Sequence, residues 1–375
     1  MTTITALLQT IRLGRIELPN RIIMAPLTRM RAGDSGVPTA MNADYYAQRA
    51  SAGLIITEST RIGALGHSYP GMPGIHTEAQ IDGWKKVTRA VHARGGRIFL
   101  QIAHGGRVSY SSYTSDNLAP VAPSAVAPAT GMAFTREFAL TAFETPRALE
   151  ADEIGAIVGD FRQAARNAML AGFDGVEIHG ANGYLIDQFL HDGSNLRTDN
   201  YGGSIENRSR FLLDVVDAIG AEIGIDRTAI RLSPFSQFND MRDSDTTALF
   251  GHVLAQLSQR PLAYLHLVEA RAAELGLSDE LRAGLDNNVA LFRQAFSGPV
   301  ISAGGYTRDS AEALLAAGGA DAVAFGRSYI ANPDLVERLT SNAPLNAYDR
   351  ATFYGGAEPG YLDYPTLEQQ QSRAA

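Results

Sequence analysis

The chain alternates between short apolar runs and longer amphipathic stretches. Each apolar run is entered through glycine or another small residue and ends in polar groups, which is typical of parallel strands buried on both faces. Between the runs lie helical stretches such as 151–170, which has apolar residues at three- and four-residue spacing. The apolar runs are 21–28, 53–60, 96–104, 176–178, 229–233, 263–268, 299–305 and 320–327. This repetition predicts an α/β protein, a closed (β/α)8 or TIM barrel.

Three stretches depart from this rhythm. Residues 11–18, IRLGRIEL, alternate around a Gly-Arg turn and predict a β-hairpin that closes one end of the barrel. Residues 105–146 are rich in Ser, Pro and Ala and are too long for an ordinary strand–helix loop, so they predict a lid after the third strand. Residues 366–375 predict a flexible tail. We therefore expect a single barrel domain over 1–375.

Composition narrows the class of protein. A chain of 375 residues with 45% hydrophobic and 19% charged residues is that of a globular protein with a full-sized core. The formal net charge of −8 argues against a general nucleic-acid surface. No apolar run is long enough to span a membrane and residues 1–15 lack a signal-peptide pattern, so we expect a cytoplasmic protein, monomeric or homodimeric.

Two residue types are informative by their scarcity. The sequence has no cysteine, which excludes disulfides, thiolate zinc sites, iron–sulfur clusters and cysteine nucleophiles. Its lysines, Lys85 and Lys86, are adjacent in a helical stretch, and neither is placed at a strand end as a Schiff-base lysine would be. Lysine aldolases and pyridoxal-phosphate enzymes are therefore disfavoured.

The end of the fourth apolar run carries the densest candidate chemistry. His179, Asn182 and Tyr184 follow that strand within six positions and supply two hydrogen-bond donors and a weak acid. Because barrel enzymes keep their chemistry at the carboxyl ends of the strands, this cluster predicts a site that polarises and protonates a carbonyl. The alternative is structural: His179 and Asn182 cap the next helix while Tyr184 packs on it.

Other strand ends carry matching groups. Thr28, Gln101 and Arg231 offer a hydroxyl, an amide and a fixed cation, which suit the polar rim of a planar heterocycle. The last two strands end in glycines and an arginine, as needed where backbone N–H groups approach a phosphate. These residues are Gly304, Gly305, Gly326 and Arg327. The alternatives are backbone capping by the threonine and glutamine, an ion-paired Arg231, and turn glycines beside a surface arginine.

Six stretches, in order along the chain, together resemble the old yellow enzyme family. They are MAPLTR at 24–29, QIAHGGR at 101–107, HGANGYLIDQF at 179–189, YGGSIENRSRF at 201–211, RLSP at 231–234 and AFGRSYIANPDL at 324–335. The likeness extends from about residue 13 to 365. It implies an FMN-containing (β/α)8 ene-reductase that uses NADPH or NADH.

The resemblance also implies the cofactor residues. Thr28 would bind the C4 carbonyl region of the flavin, Gln101 its pyrimidine edge, and Arg231 the N1 and C2 carbonyl region, where a cation stabilises negative charge. Further residues assigned to the cofactor are Pro26, Leu27, Ser59 and the phosphate-binding Gly304, Gly305, Gly326 and Arg327.

The catalytic roles follow from the same resemblance. His179 and Asn182 would donate hydrogen bonds to the oxygen of an α,β-unsaturated carbonyl, a nitro compound or a nitrate ester, and Tyr184 would protonate Cα of the unsaturated substrates. Tyr69, Ala103 and Tyr354 would line the substrate pocket. A nicotinamide and then the alkene would occupy one place in turn, which gives ping-pong kinetics.

Some positions depart from the family pattern. Ala103 stands where many members have tryptophan, which implies a wider pocket, and Ser59 stands where alanine or glycine is usual. Thr28 replaces the cysteine of another branch of the family. Two rival functions stay open at this point: a metal-dependent barrel hydrolase or aldolase, with His104, His179 and His266 as ligands, and a non-catalytic flavin-binding protein.

Overall fold

Eight short parallel strands pair in a closed ring. The structure, a computed structural model, describes residues 4–114, 116–270 and 288–374. The barrel strands are β1 (Ile22–Met24), β2 (Leu54–Ile56), β3 (Ile98–Ala103), β4 (Gly175–Gly180), β5 (Thr228–Leu232), β6 (Leu265–Val268), β7 (Val300–Ala303) and β8 (Ala322–Phe325). Each strand pairs with the next in parallel, and β8 pairs with β1 through the register Phe325↔Met24. The predicted (β/α)8 barrel is confirmed.

Helices surround the ring and follow most of its strands. The longest of them begin at side-chain caps or acidic first turns, as in the helix that follows Thr77, whose side chain accepts a hydrogen bond from the Gln80 amide. The helices are α1 (Ala40–Gln48), α2 (Glu78–His92), α3 (Ala151–Leu170), α4 (Leu185–Leu190), α5 (Ile205–Ile223), α6 (Thr246–Leu257), α7 (Asn288–Phe292), α8 (Arg308–Ala316), α9 (Arg327–Ala331), α10 (Leu335–Ser341) and α11 (Leu367–Ala374). Their apolar faces bury the outer surface of the strands.

A β-hairpin covers one end of the barrel, as the sequence predicted. Its strands, Ile11–Leu13 and Ile16–Leu18, pair antiparallel. Leu13 and Leu18 are fully buried in the apolar cluster formed by the inward-facing side chains of the barrel strands. The turn needs glycine, because Gly14 has φ +56° and a Cβ there would lie 2.0 Å from the Asp226 carbonyl oxygen.

The insertion at 105–146 contains short strands of its own. Ala133–Phe134 pairs antiparallel with Leu140–Thr141, and Val121–Ala122 pairs in parallel with Arg147–Ala148. The Phe134 ring lies 6.2 Å from the Tyr354 ring, so the insertion approaches the C-terminal segment. An insertion after the third barrel strand is confirmed.

The C-terminal tail differs from the prediction. Residues 367–374 form helix α11, whose Gln370 side chain accepts a hydrogen bond from Arg338 at 3.0 Å and donates one to Asn346 at 2.7 Å. The sequence LEQQQSRA has no apolar stripe, and this helix is held by polar contacts that periodicity cannot reveal. Within the described residues, no helix is long and apolar enough to cross a membrane.

Candidate active site

The barrel interior is apolar near the hairpin and polar towards the carboxyl ends of the strands. Register places Gln101 of β3 beside Glu177 of β4, and His179 of β4 beside Arg231 of β5. Gln101 Nε2 donates to Glu177 Oε1 at 2.7 Å. The residues that the sequence singled out at three strand ends therefore meet inside one ring.

His179 is held as a neutral imidazole. It is 4% exposed, and burial, followed by the nearby Arg231 and His266, lowers its pKa well below the usual range. Its Nδ1 atom is buried and has no hydrogen-bond partner among the described residues. A neutral imidazole has one N–H donor, which is what polarising an oxygen requires.

Asn182 has a left-handed backbone, with φ +58°. Its N–H donates to Ser233 Oγ at 2.8 Å, and its carbonyl accepts from Asn239 Nδ2 at 2.8 Å. Asparagine tolerates this conformation better than most residues. Two hydrogen bonds thus fix the Asn182 main chain, and the Asn182 residue is only partly buried.

Tyr184 lies beside His179, with ring centroids 4.6 Å apart and planes tilted by 38°. Burial, and then the neighbouring Tyr354 phenol, raise the pKa of Tyr184 above its usual value. The phenol is therefore protonated at neutral pH. An acid of this kind can give a proton but does not readily remove one.

The helix-capping alternative does not hold. Helix α4 begins after Tyr184, whose side chain makes no capping bond. The first helical N–H, that of Leu185, donates to the His104 carbonyl at 3.0 Å. The His179 and Asn182 side chains are therefore not what satisfies the start of this helix.

Of the predicted pocket residues, Tyr69 and Ala103 lie in one buried cluster, whereas Tyr354 lies at the surface. Tyr69 accepts a hydrogen bond from Thr28 Oγ1 at 3.2 Å and donates one to the Ser59 carbonyl at 3.1 Å. Tyr354 is half exposed and close to the lid through Phe134. Ala103 is fully buried in a cluster with Met30, Tyr69 and Met72, with Phe134 packed against it. Its methyl group therefore lies beneath the lid.

Sequence reasoning missed the lid aromatics. The Tyr113 ring lies against His67, with centroids 4.6 Å apart and planes tilted by 37°, and its hydroxyl donates to the Phe134 carbonyl. Burial, and then the Tyr184 phenol, raise the pKa of Tyr113 above its usual value. The signal available in the sequence was the presence of aromatic residues in a stretch otherwise rich in Ser, Pro and Ala.

Several buried polar atoms near these residues have no partner in the described part of the chain. They are Ser59 Oγ, His179 Nδ1 and Arg231 Nε. Since buried polar groups are normally hydrogen-bonded, such atoms indicate a ligand that supplies the missing contacts. The carbonyls and ring nitrogens of a flavin fit this set, because they offer acceptors to the arginine and the hydroxyl.

The first, seventh and eighth strand ends converge. A Cβ on Gly326 would lie 3.4 Å from Leu27 Cδ2, and a Cβ on Gly305 would lie 4.0 Å from Arg327 Nη2. Gly305 has φ +70°, a conformation that suits glycine, and is exposed. Pro26, Leu27 and Thr28 are only partly buried at this point. The glycines and Arg327 thus form a set suited to a phosphate, which fits FMN.

The metal-dependent alternative lacks a ligand set. His104 Nδ1 accepts the Gly106 N–H at 3.0 Å, and His266 Nδ1 faces Glu177 Oε2 at 2.9 Å. Across residues 4–114, 116–270 and 288–374, no group of three or more His, Asp or Glu side chains could hold a metal ion. The three histidines therefore do not form a metal site in the part of the chain that the structure describes.

Comparison with known proteins identifies the family of the chain. The model of the NADH:flavin oxidoreductase / NADH oxidase family matches residues 6–346. The chain is 47% identical over 367 residues to 12-oxophytodienoate reductase 1 of Oryza sativa subsp. japonica, covering 97% of this chain and 93% of that protein. It is 45% identical over 370 residues to 12-oxophytodienoate reductase 2 of Arabidopsis thaliana, covering 96% of each.

Solved structures show the same relationship. Morphinone reductase superposes with a TM-score of 0.92 at 46% identity, covering 100% of both chains, and a second structure of it contains tetrahydroNAD. The old yellow enzyme homologue from Zymomonas mobilis superposes with a TM-score of 0.91 at 44% identity, covering 96% of this chain and 99% of that one. The chain therefore belongs to the old yellow enzyme family and is an FMN-dependent ene-reductase with a nicotinamide reductant.

Proposed function

We propose that His179, Asn182 and Tyr184 catalyse the reduction, by a nicotinamide through FMN, of the activated C=C bond of an α,β-unsaturated carbonyl or nitro compound, with nitrate esters as further acceptors. The observation that carries this assignment is the neutral His179, whose Nδ1 has no partner in the described residues, with its ring centroid 4.6 Å from that of the protonated Tyr184. One group is prepared to donate a hydrogen bond to an oxygen. The other is prepared to give up a proton.

FMN, when bound, supplies the hydride-transfer chemistry. Thr28, Gln101 and Arg231 hold the polar edge of its ring, with Pro26, Leu27 and Ser59 beside it. The fixed charge of Arg231 favours negative charge on that edge. Gly304, Gly305, Gly326 and Arg327 hold the phosphate through backbone N–H groups and a guanidinium.

The substrate oxygen lies between His179 and Asn182. Both side chains donate to it, and the donation is stronger when negative charge develops on the oxygen, so the pair stabilises the transition state more than the ground state. Tyr184 then delivers its proton to Cα. Its raised pKa suits this role, because the phenol stays protonated until a strongly basic carbon is formed beside it.

Tyr69, Ala103 and Tyr354 shape the pocket, together with Tyr113 and Phe134 of the lid. These side chains exclude water from the reacting carbon and select flat substrates. A nicotinamide and an alkene use the same place in turn. The nicotinamide is NADPH or NADH, and a cytoplasmic location stays a prediction from the sequence.

Visible spectroscopy of the purified protein tests the proposal. Under anaerobic conditions, NADPH or NADH should bleach the flavin band, and 2-cyclohexenone should restore it at a rate proportional to its concentration. A band that bleaches but is not restored by enones, maleimides or nitroalkenes would favour a flavin-binding protein without ene-reductase activity.

A further inference from the structure

Glu177 is a buried carboxylate to which the reaction described above gives no role. It lies on β4 two residues before His179 and is fully buried. One oxygen accepts the Gln101 side-chain amide at 2.7 Å, and the other lies 2.9 Å from His266 Nδ1. Burying a charge costs free energy unless hydrogen bonds and opposite charges compensate it, so Glu177 depends on these partners.

The charge states of this cluster follow from its contacts. Burial alone would raise the pKa of Glu177, but the hydrogen bonds from His266 and Gln101 and the charge of Arg231 outweigh burial and lower it, so the carboxylate is ionised at neutral pH. Burial lowers the pKa of His266 despite Glu177, and the buried His266 Nε2 has no partner in the described residues, as expected for a neutral ring that donates from Nδ1. The Tyr264 phenol, whose pKa is raised well above its usual value by burial and then by Glu177, is also neutral. Glu177 and Arg231 are thus the opposed charges of this layer.

An ionised carboxylate determines how the Gln101 amide is oriented. A carboxylate accepts hydrogen bonds and cannot donate them, so the amide must turn an N–H towards Glu177. The Gln101 main chain is fixed as well, because its N–H donates to Thr57 Oγ1 at 3.0 Å. The carbonyl oxygen and the second N–H of the amide are therefore left for a ligand. This pair matches a ring edge on which an N–H lies beside a carbonyl.

The same carboxylate offsets the charge of Arg231. Register places Arg231 level with His179 on the neighbouring strand, two residues beyond Glu177, and its Nε has no partner in the described residues. An unbalanced cation would favour the more negative, reduced form of a bound flavin. An anion held close by weakens that preference.

We propose that Glu177 is a positioning residue of the cofactor site, which fixes the orientation of the Gln101 amide and keeps the midpoint potential of bound FMN below the value that Arg231 alone would set. This inference rests on the proposed function, in which Gln101 and Arg231 contact the ring. It assigns to Glu177 an effect on the cofactor that needs no contact with it.

Two substitutions separate the two effects. Glu177→Gln keeps the shape but removes the charge, so the midpoint potential should become more positive and the dissociation constant of FMN should rise roughly 3- to 10-fold, the scale of one hydrogen bond. Glu177→Asp keeps the charge, but its shorter side chain no longer reaches Gln101. The dissociation constant of FMN should therefore rise by a similar factor, while the midpoint potential stays near the parent value. Potentials are measured with a reference dye and affinities by fluorescence of released FMN.

Clear outcomes would overturn the inference. An unchanged potential in Glu177→Gln contradicts the electrostatic role. If that variant does not fold, Glu177→Asp still decides, because unaltered FMN affinity contradicts the positioning of Gln101. His266→Gln should leave the potential unchanged, and a shift there would mean that the imidazole carries the charge.

Control variants distinguish this inference from the proposed function. Glu312→Gln makes the same chemical change at a buried carboxylate outside the barrel, where Glu312 accepts the Ala6 and Leu7 N–H groups, and should leave the potential unchanged. Arg231→Met and Gln101→Leu test the site itself. If neither of these two variants alters the affinity for FMN or its midpoint potential, the cofactor residues are misassigned. If both variants alter them and Glu177→Gln does not, only the role proposed for Glu177 is wrong.

Discussion

The two ends of the barrel are built from the same strands but differ in the side chains that fill them. At the hairpin end, Leu13 and Leu18 pack onto inward-facing side chains such as Phe99, and the cluster is apolar apart from the Tyr264 hydroxyl. At the other end, His179 Nδ1 and Arg231 Nε are buried and lack partners in the described residues. The first end is filled almost entirely by apolar contacts, whereas the second presents polar atoms that a ligand can satisfy.

This contrast indicates where stability and chemistry are located. Each buried polar atom without a partner costs about 1–3 kcal/mol, so such atoms are tolerated where a ligand will satisfy them. The apolar end offsets that cost through burial of hydrophobic surface. Substitutions at the hairpin end should therefore lower stability without changing the chemistry, and substitutions at the open end should do the reverse.

The largest expected effect is at the hairpin end. Leu13→Ala removes a fully buried side chain and should lower the free energy of unfolding by about 2–5 kcal/mol, because a cavity is left in a packed cluster. Urea denaturation measures this. The rate of enone reduction per folded, FMN-loaded molecule should stay at the parent value, and a large loss would mean that the two ends are not independent.

The next effect is at the open end. His179→Ala or Asn182→Ala should slow the enone-dependent step by roughly 10²–10³-fold, the usual result of removing one oxyanion donor. Phenolic ligands, which mimic the enolate oxygen, should also bind more weakly. Anaerobic rapid mixing and absorbance titration give the two quantities, and normal phenol binding in both variants would contradict the donor pair.

The phosphate end of the site should give a smaller effect. Arg327→Ala should weaken the binding of FMN by about 1.5–3 kcal/mol, the scale of a hydrogen bond to a charged group. The apoprotein fold should be retained, since Arg327 is only partly buried. Equilibrium dialysis against FMN provides the measurement, and retention at the parent affinity would show that the phosphate lies elsewhere.

The smallest effect concerns selectivity beneath the lid. Ala103→Trp must displace Phe134 or Met30, because Ala103 is already enclosed by its neighbours. A difference of about 1–3 kcal/mol between two substrate poses is enough to change the product ratio of a Cβ-substituted enone by one or two powers of ten. The ratio of product enantiomers, measured by chiral chromatography, should change much more than the rate of flavin reduction by NADPH. Unchanged ratios across several bulky enones would show that position 103 does not influence the pocket.

Much of the barrel was predictable because buried parallel strands leave a local signal. Each run that the sequence predicted as a barrel strand contains or overlaps one in the structure, and the hairpin was visible from its alternation around Gly14. The strand ends also identified His179 and Arg231, since residues that follow parallel strands must meet at one face.

The rest depends on contacts between residues far apart in the chain. The bond between Glu177 and His266 joins two strands across the barrel interior, and no local pattern reveals it. Tyr113 and Phe134 lie in an insertion without periodicity, so their approach to the pocket depends on tertiary packing. Helix α11 lacks an apolar face, so no hydrophobic periodicity indicates a helix there.

The most direct test of the account is rapid mixing of Tyr184→Phe with an enone after anaerobic reduction by NADPH. Since the change removes only the proton donor, phenol binding and the NADPH step should stay close to the parent values while return of the flavin band slows by roughly 10²–10⁴-fold. A return as fast as that of the parent protein would contradict the assignment of Tyr184 as the acid.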